Sequence, residues 1–305
     1  MSELRKASKS ATMYGQLKID TDATKKIESI YNKLKSTNEF EVMFFNYKSD
    51  QSNILNMESF LNILEYIKKR SSIKKERLEE ITTLDVGYSH DNTNYRVSVK
   101  GINNIHHMIS LSHRRKNHVI FKIMLEEYLK KERDMVLIKK VKNMDNIIDI
   151  DEYDTRFRIS DELEVTKEEI KNLQELDETM RSKITFRFKQ RVSLFIEETK
   201  DSTLRIDLTN SKQTNNINRI ENSIPRYELE IDYTAKNSKK DDLNKIYHEI
   251  EVLHKVIQQG NFIVNNNEKN YILEQYMNII GTNEKKTSLA GRKPQSLEIQ
   301  HVVDI

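Results

Sequence analysis

Acidic side chains recur at every second position in two short segments that lie far apart in the sequence. They are Glu39 and Glu41 in the first segment, and Glu228, Glu230 and Asp232 in the second. Apolar residues lie between them, and successive side chains of a β-strand point to opposite faces. Each segment therefore predicts a strand with one acidic face and one apolar face. Carboxylate oxygens are the ligands that Mg²⁺ prefers, and Mn²⁺ accepts the same donors.

A third segment, residues 183–196, alternates in the same way but carries cations. Arg187, Lys189 and Arg191 share one face, and the other face is mainly apolar. Like charges stacked on one face repel each other unless a group of opposite charge lies between them. A polyphosphate between this basic face and a cation held by the acidic strands would neutralise both sets of charges. Phosphoryl-transfer chemistry requires this kind of neutralisation and positioning.

The remaining elements decide where these charged faces point. Strands are predicted over residues 39–47, 79–88, 94–100, 134–142, 155–160, 183–198, 203–209 and 226–234. Helical periodicity is found over residues 22–36, 56–70, most of 102–131, 166–176, 241–259 and 268–280. The amphipathic helices must bury their apolar stripes, and the apolar strand faces are the available surface. We therefore predict an α+β fold: an antiparallel eight-stranded β-barrel with a polar interior and helices packed outside.

An ordinary antiparallel sheet with a solvent-exposed polar face explains each strand taken alone. Two features of the whole set favour charges that point inward. Two strands carry only acidic charges on one face and a third carries only basic charges, whereas exposed faces usually mix signs. The helices also need apolar surface to cover. Buried carboxylates are costly or have raised pKa values unless a cation compensates them, and a divalent cation would do so.

Composition excludes several other classes of protein. The 305 residues include 51 Lys and Arg against 48 Asp and Glu, a net charge of +3, so the sequence does not predict strong non-specific duplex binding. The absence of cysteine excludes disulfide scaffolds, thiolate zinc sites and cysteine nucleophiles. No apolar run reaches the roughly 18 residues of a membrane span, and the N-terminus lacks the apolar core of a signal peptide.

Several motifs together carry a resemblance to a known family. They are Glu39-Phe40-Glu41, Tyr95-Arg96-Val97-Ser98, Arg187-x-Lys189-x-Arg191, Arg205-x-Asp207 and Glu228-Leu229-Glu230, in this order. The chain resembles the metal-dependent RNA triphosphatases of the triphosphate tunnel metalloenzyme family. It is similar in particular to the N-terminal triphosphatase domain of mRNA-capping enzymes from large DNA viruses of mimivirus and poxvirus type. The likeness covers about residues 30–280 in layout.

The resemblance implies an activity and a set of site residues. The expected reaction is hydrolysis of the γ-phosphate of 5′-triphosphate RNA to a 5′-diphosphate end and phosphate, with nucleoside triphosphates as alternative substrates. The cofactor would be Mg²⁺ or Mn²⁺, held by Glu39, Glu41, Glu228 and Glu230 with Asp232 in support. The triphosphate would contact Arg96, Lys140, Arg187, Lys189 and Arg191, with Asp207 as a further acidic group.

The chain departs from other members of the tunnel group at one informative position. The bacterial and animal branch has Glu-x-Glu-x-Lys on the first strand, whereas Met43 stands at the third position here, which favours the capping branch. No Lys-x-Asp-Gly guanylyltransferase motif occurs. We therefore expect a flexible arm over residues 1–20, the triphosphatase domain over 21–281, and a linker over 282–305 toward guanylyltransferase and methyltransferase domains that are absent from this sequence. The expected location is the cytoplasm, in a viral factory or virion, with no membrane partner.

Other candidate sites are weaker. His106 and His107 are adjacent, so on a helix they point in different directions and do not suit a shared metal. The acidic cluster Asp149, Asp151, Glu152 and Asp154 lacks the glycine of a calcium-binding loop. The run 114–116, Arg-Arg-Lys, suits an approaching RNA, although a solvated helix end is the default interpretation. The alternative function is a non-catalytic module that binds RNA ends or a partner protein and uses no metal.

Overall fold

The computed structural model describes residues 17–44, 55–90, 92–131, 133–141, 146–177, 179, 183–236 and 240–280. It divides into two compact units, with the boundary between Ile263 and Val264. The described part of the first unit contains nine strands and six α-helices, and that of the second contains one helix. The predicted domain over 21–281 thus spans this boundary. The predicted linker over 282–305 and most of the predicted N-terminal arm lie outside the described residues.

Nine strands form a single antiparallel sheet. They are β1 (Asn38–Phe44), β2 (Arg77–His90), β3 (Thr93–Lys100), β4 (Met135–Val141), β5 (Ile147–Ile150), β6 (Thr155–Glu164), β7 (Ile184–Glu198), β8 (Ser202–Thr214) and β9 (Pro225–Ala235). The order is β1-β9-β8-β7-β2-β3-β4-β6-β5, and β1 also pairs with β6. That pairing closes eight strands into a barrel, with β5 attached to β6 outside the ring. The predicted eight-stranded antiparallel barrel is confirmed.

Seven α-helices accompany the sheet in the described part of the chain. They are α1 (Thr21–Tyr31), α2 (Met57–Lys74), α3 (Ile102–Ser112), α4 (Asn117–Lys130), α5 (Lys167–Gln174), α6 (Lys240–Gln258) and α7 (Asn266–Ile280). The first six belong to the barrel unit and α7 to the second unit. None of the helices among the described residues combines the length and the apolar character needed to cross a lipid bilayer.

Two apolar clusters lie between the barrel and its helices, and they fix the orientation of every strand. One contains Phe40, Val42 and Phe44 of β1 with residues of α1, α2 and α6, and the other contains residues of β2 and β3 with α3 and α4. In β1 these three side chains are at most 1% exposed. Since side chains alternate along a strand, the acidic residues between them face the barrel interior. The fold thus turns the charged faces inward.

Two predicted helices and one strand differ from the structure in their boundaries or number. The predicted helix over 102–131 is two helices, because the polar run 113–116 has no apolar side chain to bury and Arg114 adopts a positive φ of 58°. Helix α1 ends at Tyr31 rather than at residue 36. The backbone N–H groups of Lys33 and Leu34 donate to carbonyl oxygens three residues earlier instead of four, which forms a tighter turn. Strand β5 was not predicted, and residues 45–47 of the predicted first strand lie outside the described residues.

Candidate active site in the barrel interior

The acidic strands β1 and β9 are neighbours, which places their carboxylates side by side inside the barrel. Glu41 lies opposite Asp232 of β9 on one side and opposite Arg158 of β6 on the other. Glu230 lies opposite Met43 of β1. The two predicted acidic segments therefore meet, as the sequence analysis expected, although they are distant in the chain.

Lys140 of β4 is surrounded by carboxylates. Its Nζ atom lies 2.7 Å from an oxygen of Glu162, 3.3 Å from Glu41 and 3.8 Å from Glu39. These carboxylates raise the pKa of Lys140 above its usual value even though burial, the largest single influence, acts in the opposite direction. Lys140 was predicted to contact a triphosphate, and this stays a prediction. In the structure, its ammonium group pairs with carboxylates of β1 and β6.

The two glutamates of β1 differ in their protonation behaviour. Burial raises the pKa of Glu39, and the nearby Glu162 adds to the effect. Burial also acts to raise the pKa of Glu41, but Lys140 and Arg158 together outweigh it and lower this pKa. Glu41 accepts hydrogen bonds from Arg158 and, at 2.9 Å, from the Ser160 hydroxyl. Glu41 is therefore held as a carboxylate at the centre of the acidic group.

Carboxylates outnumber cations around β9. Burial raises the pKa of Glu230, and Glu41 is the next largest cause. Burial followed by repulsion from Asp207 and Glu230 raises the pKa of Asp232 well above its usual value. The side chain of Glu230 has no hydrogen bond or ion pair with any other described residue, and Oδ1 of Asp232 is buried without a hydrogen-bond partner. In this part of the interior, carboxylates repel one another and favour a nearby cation.

Arg205 of β8 joins the acidic residues of three strands. Its guanidinium lies 2.7 Å from Asp232, 3.1 Å from Asp207 and 3.8 Å from Glu39. Asp207 is fully buried and also pairs with Arg191 of β7 at 2.8 Å. Burial acts to raise the pKa of Asp207, but Arg191 and Arg205 outweigh it, so the pKa is lowered. Asp207 is an ionised link between the acidic and basic strands.

Cations predominate on β7 and β3. Lys189 Nζ lies 2.6 Å from Oδ2 of Asp85 on β2, and both side chains are buried. Burial lowers the pKa of Lys189 to about 8, and the positive charges of Arg96, Arg191 and Arg187 contribute to this, while Asp85 opposes it. The structure places the residues of the predicted basic face together inside the barrel, where their positive charges repel one another.

The outer members of this cluster make ion pairs with neighbouring strands. Arg187 bonds to Glu228 of β9, which also accepts a hydrogen bond from the Ser211 hydroxyl at 3.0 Å. Arg96 lies 3.3 Å from Glu162 of β6. Glu228 is therefore oriented toward the basic strand, and Glu162 connects Arg96 with Lys140. The structure places all eleven predicted site residues on the inner face of the barrel.

Four interior residues were missing from the predicted site: Asp85, Arg158, Glu162 and Arg205. Asp85, Arg158 and Arg205 had a signal in the sequence, because each stands between buried apolar residues on its strand. Glu162 had no such signal, because it stands between Asp161 and the half-buried Leu163. Asp85 stands between Leu84 and Val86, and Arg158 between Phe157 and Ile159. Their importance depends on the strands that lie beside them, which the sequence pattern does not specify.

The carboxylates on the inner face suit a divalent cation in their donor chemistry, because Mg²⁺ and Mn²⁺ bind carboxylate oxygens. The ammonium group of Lys140 among three carboxylates shows that this group already attracts a cation. Among the described residues, however, no three Asp, Glu or His side chains converge as a ready-made metal site. The carboxylate oxygens are therefore suitable ligands for such an ion. In this structure they pair instead with the protein's own cations.

The other candidate residues lie on α3, on the α3–α4 turn and on the segment from β5 to β6. His106 is exposed and His107 half-buried on successive positions of α3. In the acidic cluster, Asp149 pairs with Arg156 of β6 at 2.5 Å. Arg114, Arg115 and Lys116 are exposed in the turn between α3 and α4. No histidine or acidic group outside the barrel forms a metal site within the described part of the chain.

The barrel fold of this chain is similar to that of solved structures of known proteins. Two crystal forms of the Mimivirus capping enzyme triphosphatase share it. The triclinic form matches with a TM-score of 0.60 and 22% identity over 79% of this chain and 98% of that chain. The monoclinic form matches with a TM-score of 0.58 and 20% identity over 78% and 99%.

A further similar structure is the RNA triphosphatase domain of a trifunctional mimivirus mRNA capping enzyme. Its TM-score is 0.59, with 22% identity over 79% of this chain and 98% of that chain. No protein-family model matches the sequence, and no curated protein matches it significantly. The solved structures therefore establish the fold that the motifs predicted.

Proposed function

We propose that this chain is a metal-dependent RNA 5′-triphosphatase that removes the γ-phosphate from 5′-triphosphate RNA in the first step of mRNA capping. One observation carries the proposal: the barrel interior has two charge imbalances of opposite sign. Carboxylates are in excess around Glu230 and Asp232, whereas cations are in excess around Lys189. A cation bound at the first place and a polyphosphate bound at the second would relieve both.

The interior suggests a role for each group. Glu39, Glu41, Glu228 and Glu230 are the proposed holders of Mg²⁺ or Mn²⁺, with Asp232 in support. A bound divalent cation would neutralise the polyphosphate and polarise the phosphorus under attack. Arg96, Lys140, Arg187, Lys189 and Arg191 are the proposed triphosphate contacts. Asp207 orients Arg191 and Arg205, since it pairs with both.

The proposed reaction is a hydrolysis. Water attacks the γ-phosphorus, and the bond from that phosphorus to the oxygen bridging it to the β-phosphate breaks. The products are 5′-diphosphate RNA, inorganic phosphate and a proton. Because a largely dissociative transition state requires little covalent participation by the protein, positioning and charge neutralisation by the interior side chains supply most of the catalysis. Nucleoside triphosphates carry the same reacting group and are proposed as alternative substrates.

The wider setting follows from the same similarity. The related solved structure is a domain of a trifunctional capping enzyme. We therefore propose that this chain works together with guanylyltransferase and methyltransferase domains on nascent viral transcripts in the cytoplasm, in a viral factory or virion. Co-expression of the chain with those activities, followed by analysis of RNA 5′ ends, tests this setting separately from the hydrolytic step.

Phosphate release tests the reaction itself. The substrate is a 5′-triphosphate RNA, assayed with Mg²⁺ or Mn²⁺ and again with a chelator. Glu41→Gln and Glu230→Gln should each lower the rate by about 100-fold or more, the scale seen when an electrostatic catalytic group is removed. Glu198→Gln, an equivalent change at an exposed ion pair with Arg77, is the control and should retain activity.

Two results would contradict the proposal. Full activity in both glutamine variants would exclude the assigned metal ligands. Metal-independent RNA binding without turnover, weakening steeply as salt is added, would instead favour the non-catalytic RNA-end module.

A further inference from the structure

The two open ends of the barrel differ in charge. We call them the β7–β8 rim, where β7 ends and β8 begins, and the β2–β3 rim, where β2 ends and β3 begins. At the β7–β8 rim, cations are paired with carboxylates. The pairs include Arg77 with Glu198 at 2.9 Å, Lys236 with Asp201 at 2.9 Å, Lys100 with Asp134 at 3.8 Å, and Lys245 with Glu197. At this rim, carboxylates thus neutralise several of the cations.

At the β2–β3 rim, exposed cations extend the inner faces of two strands. Lys183 precedes β7 and continues the alternation of Arg187, Lys189 and Arg191 toward the rim. Arg226 of β9 lies on the same face as Glu228, one alternation nearer the rim. Neither side chain forms an ion pair with another described residue. The positive charge of the interior therefore continues out of the barrel on this side.

The turn between α3 and α4 adds further cations beside this rim. Arg114 and Arg115 are exposed and have no ion pair among the described residues. The turn is joined to the segment after β8 by a hydrogen bond from Nδ2 of Asn117 to the carbonyl oxygen of Asn215 at 2.8 Å. Exposed Arg219 follows in that same segment. The run 114–116 is thus continuous with the basic side of the rim.

The opposite side of the same rim is acidic. Asp149, Asp151, Glu152 and Asp154 lie along β5 and the turn into β6. In the closed order of eight strands, β6 stands across the barrel from β7. A polyanion that leaves the interior at this rim would be repelled from the β5–β6 side and attracted to the start of β7 and the end of β8. The charges at this rim therefore favour an exit path for the polyanion toward the β7–β8 side of the barrel.

We propose that the RNA chain downstream of the 5′-triphosphate leaves the barrel at the β2–β3 rim and lies across the start of β7 and the end of β8 onto the α3–α4 turn. This inference rests on the proposed triphosphatase function and adds a path for the RNA. Each nucleotide contributes a phosphate charge, and cations that contact these phosphates release counterions, so the surface favours single-stranded RNA of any sequence.

The experiment compares two substrates and two triple variants. The substrates are a 5′-triphosphate RNA 20-mer and ATP, which carries the reacting group without the RNA chain. The test variant is Arg114→Gln/Arg115→Gln/Arg219→Gln. The control variant, Lys35→Gln/Lys200→Gln/Lys236→Gln, removes three exposed cations near the β7–β8 rim and gives the same change in net charge.

In the test variant, kcat/KM for the 20-mer should fall at least about tenfold at low salt, and the slope of log kcat/KM against log salt should become shallower by about 2. The values for ATP should stay within about twofold of wild type, as should both substrates in the control variant. The proposed RNA path would be overturned by unchanged 20-mer kinetics in the test variant, or by an equal fall in kcat/KM in the control variant. Unchanged 20-mer kinetics is also the result expected if the basic patch binds an acidic protein. A wild-type chain inactive on both substrates would instead refute the triphosphatase function itself.

Discussion

The buried pair of Asp85 and Lys189 leads to a specific prediction about pH. Lys189 has a pKa of about 8, because burial and the neighbouring arginines outweigh the attraction of Asp85. If the ammonium form of Lys189 binds the triphosphate, kcat/KM should decline as pH rises through about 8. Replacing Asp85 by asparagine removes the carboxylate that opposes this shift. The decline should then begin at a lower pH.

The distance between the two groups sets the size of the change. For opposite unit charges 2.6 Å apart, the attraction is about 1.6 kcal/mol at the dielectric constant of water and about 6 kcal/mol at an effective value near 20. Since one pKa unit corresponds to about 1.4 kcal/mol, Asp85→Asn should lower the pKa of Lys189 by about one to four units. Removing one partner of a buried ion pair also destabilises the fold, by about 3–5 kcal/mol.

The assay is kcat/KM for triphosphate hydrolysis between pH 6 and 10. Glu79→Gln is the matched control, because Glu79 is a half-exposed carboxylate of the same strand that pairs with Arg77 at 3.1 Å. Lys189→Arg, which keeps its proton over this range, should remove the part of the decline that is due to Lys189. The pKa of Lys189 in the folded state is lower than its usual value of 10.5, so the folded state binds fewer protons and gains stability from this group as pH rises from about 8 toward 10.5. An Asp85→Asn profile identical to that of wild type, measured on folded protein, would refute the reasoning.

Three further predictions concern stability. Mn²⁺ at about 100 times its Kd should stabilise the wild type by about 2.7 kcal/mol, seen as a rise in Tm of about 5 °C that Glu230→Gln largely abolishes; an equal rise in the variant would exclude Glu230 as a ligand. Arg70→Ala should cost about 3–5 kcal/mol in urea unfolding, since Arg70 of α2 is buried and donates to Glu249 of α6 at 3.0 Å; a loss below about 1 kcal/mol would contradict this. Thr166→Ala should cost about 1 kcal/mol by removing the capping box of α5, with Thr179→Ala as an unrelated threonine control.

Much of the barrel was predictable because alternation determines which face of a strand is buried. Phe40 and Val42 on one face imply Glu39 and Glu41 on the other, and this holds whatever the neighbouring strands are. In β4, two consecutive lysines prevent the sequence from showing which of them faces the barrel interior. Lys139 points outward and bonds to Glu169 at 2.7 Å, whereas Lys140 points inward, and the sequence alone does not distinguish them.

The sequence could not predict which side chains pair across neighbouring strands, because those pairs depend on strand order and register. Glu41 bonds to Arg158 only because β6 pairs with β1, although the two residues are 117 positions apart in the sequence. The four-residue strand β5 was missed for a different reason. Its sequence, Ile-Ile-Asp-Ile, is too short to establish a period, and pairing with β6 holds it in place. Tertiary pairing decides such segments rather than local propensity.

The balance of charge inside the barrel connects its stability with its proposed function. The interior residues discussed above include seven cations, Arg96, Lys140, Arg158, Arg187, Lys189, Arg191 and Arg205, and eight carboxylates, Glu39, Glu41, Asp85, Glu162, Asp207, Glu228, Glu230 and Asp232. These totals nearly cancel, so the barrel can close over its charges without a ligand. The local distribution is uneven even though individual pairs form, such as Asp232 with Arg205 and Lys189 with Asp85. Neighbouring carboxylates help to raise the pKa of Asp232, while neighbouring cations help to lower that of Lys189. A region in which carboxylates repel one another favours a bound cation, and a region in which cations repel one another favours a bound anion, which is what binding a metal together with a triphosphate requires.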